Sequence, residues 1–147
     1  MSVPVSVILD RKGHDVLTTT PDETLLAVSH TLQEHNVGAL VVSSGAREVE
    51  GVVSERDVVR TVARLGSDAL ACLVSDAMTS DVTTCDLATT VDELMAVMTQ
   101  RRIRHVPVIE DGRLVGIVSI GDVVKARHVE LELQAQALQE YVTGSRA

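Results

Sequence analysis

Apolar positions along this 147-residue chain fall in the same order twice. Two short Val/Thr-rich runs, residues 16–18 and 82–84, predict strands. Each leads through a turn into apolar residues at helical spacing: Leu25, Val28 and Leu32 behind Thr24, and Val91, Leu94, Met95 and Met98 behind Thr90. Thr24 and Thr90 are the predicted N-caps. Apolar strands follow at residues 38–42 and 105–109. Each then reaches a glycine-containing turn, Gly45 in the first half and Asp111-Gly112 in the second, the latter a strong hairpin signal. Second strands at 51–54 and 116–119 run directly into helices at 55–65 and 120–131. Both halves therefore read strand, helix, strand, strand, helix.

The two patterns are copies of one unit. At an offset of 66, Asp15 falls on Asp81, Val16 on Val82, Thr18 on Thr84, Thr24 on Thr90, Val37 on Ile103, Gly38 on Arg104 and Leu40 on Val106. One extra residue in the first turn changes the offset to 65, which sets Gly51, Ser54 and Asp57 on Gly116, Ser119 and Asp122. One unit alone is too small to bury its faces, so the two are expected to pack together. The expected division is repeat 1 over residues 6–70, repeat 2 over 71–126 and a helical extension over 127–147, with residues 66–73 as the linker.

Composition narrows the function. Phe and Trp are absent and Tyr141 is the only aromatic residue, so Val, Leu, Ile, Ala and Met must form the core. The net charge of −8 argues against nucleic-acid binding, which needs a basic stripe, and the only basic cluster is the short run Arg101, Arg102, Arg104 and His105. No apolar run approaches the roughly 20 residues that span a bilayer, and no signal layout opens the chain, so the expectation is a cytoplasmic protein without membrane contact. Cys72 and Cys85 lack the spacing of a metal or disulfide framework and are expected to be small buried residues.

The repeated unit resembles the CBS domain, on the strength of GVVSERD (residues 51–57) and RIRHVPVIEDGRLVGIVSIGD (residues 102–122). The resemblance covers about residues 6 to 126. It implies an α/β (α+β) fold of two tandem CBS repeats packed pseudo-symmetrically, a Bateman module, with a C-terminal helical extension. It further implies clefts between the repeats that hold a regulatory adenosine ligand: AMP, ADP, ATP, NAD(H) or S-adenosylmethionine. Stand-alone pairs of this kind usually form homodimers.

The motif G-h-h-S-x-x-D occurs at Gly51–Asp57 and Gly116–Asp122. One reading is structural: Ser at a strand-to-helix junction with an acid three residues on is a capping box. The other is functional. A helix N-terminus suits phosphate, so Ser54 and Ser119 would donate to phosphate while Asp57 and Asp122 accept from ribose, as the resemblance implies. The two roles are compatible. Ile103, Arg104, His105, Val106 and Pro107 match the strand edge that forms the adenine wall in similar proteins, with Arg104 and His105 as cations toward phosphate. An exposed strand edge guarded by charge is the plainer reading.

The matching edge in the first repeat, Val37, Gly38 and Ala39, carries no cation, so phosphate there would fall to Arg56 or to the second repeat. In the second repeat Ile120 and Gly121 replace Glu55 and Arg56, which removes a possible phosphate contact. Thr18 and Thr84 are candidates to hydrogen-bond ribose or adenine, or ordinary strand threonines.

Residues 127–142 extend the last helix. Val124, His128, Leu131, Ala135, Leu138 and Val142 form one stripe, expected to pack within a homodimer or against the chain's own repeats, with Glu130, Glu132 and Glu140 toward solvent and Gly144 at the helix end. Catalysis is not expected, because no nucleophile–base pattern or Gly-rich phosphate loop is present. A metal site is not expected either, since His30 and His35 do not share a helix face and His128 with Glu132 makes only two ligands. The expected function is an adenine-nucleotide sensor signalling to an unknown effector protein in trans; the alternative is a ligand-independent dimeric scaffold.

Overall fold

The computed structural model describes residues 2–45 and 47–144. The elements run α1 (Val5–Lys12), β1 (Thr18–Thr19), α2 (Leu25–His35), β2 (Ala39–Val42), β3 (Gly51–Ser54), α3 (Glu55–Leu65), a 3-10 turn (Gly66–Ala71), α4 (Val74–Ala77), α5 (Val91–Arg101), β4 (His105–Glu110), β5 (Arg113–Ser119) and α6 (Ile120–Gly144). Two compact units emerge, each drawing on both halves of the sequence: residues 14–85 with 106–117, and residues 2–13 with 86–105 and 118–144.

In the unit built around residues 14–85, β1 pairs in parallel with β2, and β2 pairs antiparallel with β3. The β2–β3 register sets Ala39 opposite Ser54 and Val42 opposite Gly51. Leu25, Val28 and Leu32 of α2 form one core with Leu40, Val42, Val53 and Val74, and Leu17, Val37, Val58, Cys72 and Met78 pack around it. All four residues of β2 are buried, the continuous apolar signature of a strand covered on both faces. Within residues 66–73, expected to be a linker, Gly66–Ala71 form the 3-10 turn that packs on α2 and α3.

Gly51 is buried where its strand meets the loop after α4. A Cβ at this position would stand 2.6 Å from Met78 Sδ and 2.9 Å from the Thr79 carbonyl oxygen. The backbone oxygen cannot rotate away as a side chain can. Gly51→Ala is therefore expected to cost about 1–3 kcal/mol, read as a lower urea midpoint at unchanged slope. An unshifted midpoint would mean that the loop yields freely.

The other unit gathers α1, α5 and α6. Val5, Ile8 and Leu9 of α1, Val91, Leu94 and Met98 of α5, Val118 of β5, and Val123 and Ala126 of α6 are its buried apolar residues. The extended N-terminal residues lie along the start of α5: Val91 N–H donates to the Val3 carbonyl at 2.9 Å, and Val5 N–H donates to that of Thr89 at 2.7 Å.

The repeat is visible in the backbone. Thr24 and Thr90 both cap their helices as expected, each accepting at 3.2 Å from the N–H three residues on. Both helices also end alike. Asn36 (φ 53°) and Arg102 (φ 54°) adopt the left-handed conformation, and the next N–H returns to the helix, Val37 to Leu32 at 3.0 Å and Ile103 to Met98 at 3.1 Å. The hairpin at Asp111-Gly112 carries positive φ at both residues (51° and 75°), the two-residue turn that matches strand twist.

Several expectations change. The first strand of repeat 1 is Thr18–Thr19 rather than residues 16–18. Residues 82–84 form no strand, and only Cys85 makes a bridge, to Val108. Both cysteines are free and half-buried rather than buried. On α6 the line that the chain itself buries is Val123, Ala126 and Glu130; Val124, Leu131, Leu138 and Val142 of the expected stripe are exposed, so the stripe does not pack on the chain's own repeats. Glu130, expected toward solvent, is 6% exposed. It is drawn inward because its carboxylate accepts from the Val3 N–H at 2.6 Å and from Arg127 at 3.0 Å. Among the described residues, no helix is long and apolar enough to cross a membrane.

Candidate functional site

Two strand-to-helix junctions share one construction. At the first, β3 ends at Ser54 and α3 begins at Glu55. The Glu55 N–H, one of the donors a helix start leaves unpaired, donates to the Gly38 carbonyl at 3.0 Å. At the second, the Ile120 N–H donates to the Arg104 carbonyl at 2.8 Å. In each repeat this bond ties the helix start to the residue that opens the apolar strand. Val37, Gly38 and Ala39 are thereby set beside Ser54 and Asp57, and Ile103, Arg104 and His105 beside Ser119 and Asp122.

Both acids close capping boxes. Asp57 Oδ2 accepts from the Ser54 N–H at 2.8 Å and from its hydroxyl at 3.1 Å. Asp122 Oδ2 accepts from the Ser119 N–H at 2.9 Å, while Ser119 Oγ accepts from the Asp122 N–H at 3.2 Å. The structural reading of Ser and Asp is thus realised at both junctions. It leaves the remaining carboxylate lone pairs available for a second role.

The junctions differ in what else meets the acid. Asp57 is buried, and its other oxygen accepts from Thr79 Oγ1 at 3.4 Å. Asp122 instead meets an ammonium: Lys12 Nζ, from the last residue of α1, lies 2.6 Å from Oδ2. Burial pushes the Asp122 carboxyl upward, but the hydrogen bond and charge of Lys12, with the Ser119 N–H and hydroxyl, outweigh it and leave the group below its ordinary value. A depressed pKa means that this interaction stabilises the fold at neutral pH and is lost as pH falls through the acid's folded value.

The other predicted residues divide by exposure. Arg56 and Arg104 are exposed, and His105 is half-buried. Val106 and Pro107 are buried in β4, so their side chains face the interior, and the Pro107 carbonyl accepts from the Cys85 N–H at 3.0 Å. Thr18 is exposed and pairs with Val41, two residues along β2 from Ala39. Thr84 is exposed outside any strand. Sequence reasoning missed Lys12 and Thr79. Neither lies in a repeated motif, and only the packing of α1 on α6 and of residue 79 beside β3 brings them to the acids.

A family model for the CBS domain matches the chain twice, over residues 6–64 and 74–129. The crystal structure of a CBS-domain-containing protein from Agrobacterium tumefaciens is similar at 50% identity and a TM-score of 0.83, covering 85% of this chain and 99% of that one. A mitochondrial CBS-domain-containing protein of Arabidopsis thaliana is 36% identical over 97% of this chain and 73% of its own length. An inosine-5′-monophosphate dehydrogenase of Korarchaeum cryptofilum is 34% identical over 74% of this chain but only 22% of its own length.

Proposed function

Because the chain belongs to the CBS-domain family, carrying two such domains in tandem, we propose that it is a regulatory protein that binds an adenosine ligand, of the AMP, ADP, ATP, NAD(H) or S-adenosylmethionine class, at its two strand-to-helix junctions. The observation that carries this reading is the repetition of one construction at 38–57 and 104–122. A main-chain edge, a helix start and a carboxylate are brought together twice. The edge offers backbone groups to a base, the acid accepts from ribose hydroxyls, and the helix start with Arg56 or Arg104 and His105 attracts phosphate. Ile103, Val37, Gly38 and Ala39 supply shape rather than charge.

The role is regulatory rather than catalytic, exerted in the cytoplasm on an effector protein in trans. Binding alters the output only if the ligand has different affinity for two states of the protein. A homodimer joined through exposed apolar side chains of α3 (Val59, Val62) and α6 (Leu131, Leu138) is part of this reading. The same exposed residues support the second reading, a dimeric scaffold that needs no ligand.

A thermal-shift screen against AMP, ADP, ATP, NAD, NADH and S-adenosylmethionine separates the two. An extrinsic dye is required because the chain has no Trp. A ligand at 100 times its Kd is expected to stabilise the fold by about 2.7 kcal/mol. Protein freed of bound nucleotide that shifts with none of the six would instead favour the scaffold.

A further inference from the structure

The two repeats differ in where a cation stands relative to the acid. In the first, Arg56 lies in the helix turn itself, one residue before Asp57. In the second, that position is Gly121, and no side chain projects from it. Steric need does not explain the glycine: a Cβ there would meet only Ser119 Oγ, at 3.7 Å, an ordinary contact. The charge lost from the turn is returned by another element. Lys12 closes α1 and brings its ammonium to 2.6 Å from Asp122 Oδ2. Its side chain is 31% exposed and that of Asp122 21%, so the pair sits at the surface with a solvent-facing side. Buried Val5, Ile8 and Leu9, together with the Val3 N–H on Glu130, hold α1 in place.

We propose that Lys12 is a specificity-determining cation of the second junction: it pairs with Asp122 when the junction is empty and turns to the ligand's phosphate when ribose hydroxyls take the carboxylate. This inference rests on the adenosine-ligand reading above and deepens it. A flexible four-carbon stem permits the change of partner, and an ammonium needs no fixed fork to meet phosphate. A ligand without phosphate must share Asp122 with an ammonium that gains nothing in exchange. A phosphorylated one supplies the ammonium with a second anion. The second junction is therefore selective for phosphorylated adenosine, and the selectivity resides outside the repeated motif.

The test is isothermal titration of AMP and of adenosine into wild type, Lys12→Met, Lys12→Arg and the double variant Lys12→Met/Gly121→Arg. The AMP-to-adenosine affinity ratio normalises for any loss of folded protein. It is expected to fall about tenfold in Lys12→Met, the scale of one charged hydrogen bond, and to stay near wild type in Lys12→Arg. Gly121→Arg, which puts the missing cation back into the turn, is expected to restore most of it. A ratio unchanged in Lys12→Met while wild type binds AMP overturns the role of Lys12 and leaves the ligand reading intact. Wild type that binds neither compound, nor any ligand of the thermal screen, overturns both.

Discussion

Leu40→Ala is expected to lower the unfolding free energy by about 2–5 kcal/mol and Tm by roughly 6–15 °C. Leu40 is 1% exposed in the centre of β2, with Val53 opposite it on β3. Its side chain belongs to the same core as Leu25, Val28 and Leu32 of α2 and Val74 of α4. With no Phe or Trp in the chain, this core is made of aliphatic groups, and no aromatic ring can swing in to fill the space. The cost thus combines the lost transfer energy with that of the cavity. Leu40 also follows the Gly38-Ala39 edge, so loss of the anchor should loosen the first junction. Leu40→Met, which conserves volume, is expected to cost under about 1.5 kcal/mol. Equal losses in the two variants would contradict the packing account.

Asp57→Ala is expected to act on stability and on binding together. The carboxylate is buried and serves the Ser54 N–H, the Ser54 hydroxyl and Thr79 Oγ1. Removing it leaves the part-buried Ser54 N–H without its acceptor and dissolves the capping box, a loss of about 1–3 kcal/mol in chemical denaturation. If the acid also accepts from ribose, affinity for the adenosine ligand should fall at the first junction by a further factor of about 10–100. Asp122→Ala is the matched control at the second junction, where the acid is more exposed and the loss of stability should be smaller. Destabilised variants that still titrate with wild-type affinity would assign both acids to capping alone.

How much of this was legible beforehand follows from the range over which each interaction acts. The helix–strand–strand–helix order of each repeat, the Thr24 and Thr90 caps, the Asp111-Gly112 turn and the Ser/Asp boxes are local. Each is set by a residue and its neighbours within about four positions, and each stands in the structure as the residue pattern predicts. The repeat offset also placed Gly38 and Arg104 in equivalent roles, which their carbonyl bonds to Glu55 and Ile120 bear out.

Apolar spacing on α6 left open which line the chain itself buries, because a helix of 25 residues carries more than one plausible stripe. The one that is buried is chosen by what lies against it. Glu130 faces inward because the Val3 N–H and Arg127 are there to satisfy it.

What the sequence by itself determined is the repeated unit, its family and the acids at the two junctions. Tertiary structure alone decided that compact units draw on both halves of the chain, that Glu130 is buried, and that Asp57 meets a hydroxyl while Asp122 meets an ammonium. The physical reason is distance along the chain. Lys12 and Asp122 are 110 residues apart, and Val3 and Glu130 are 127 apart. No periodicity or local propensity encodes such pairs, because they exist only once apolar burial has folded α1 and α6 into one unit.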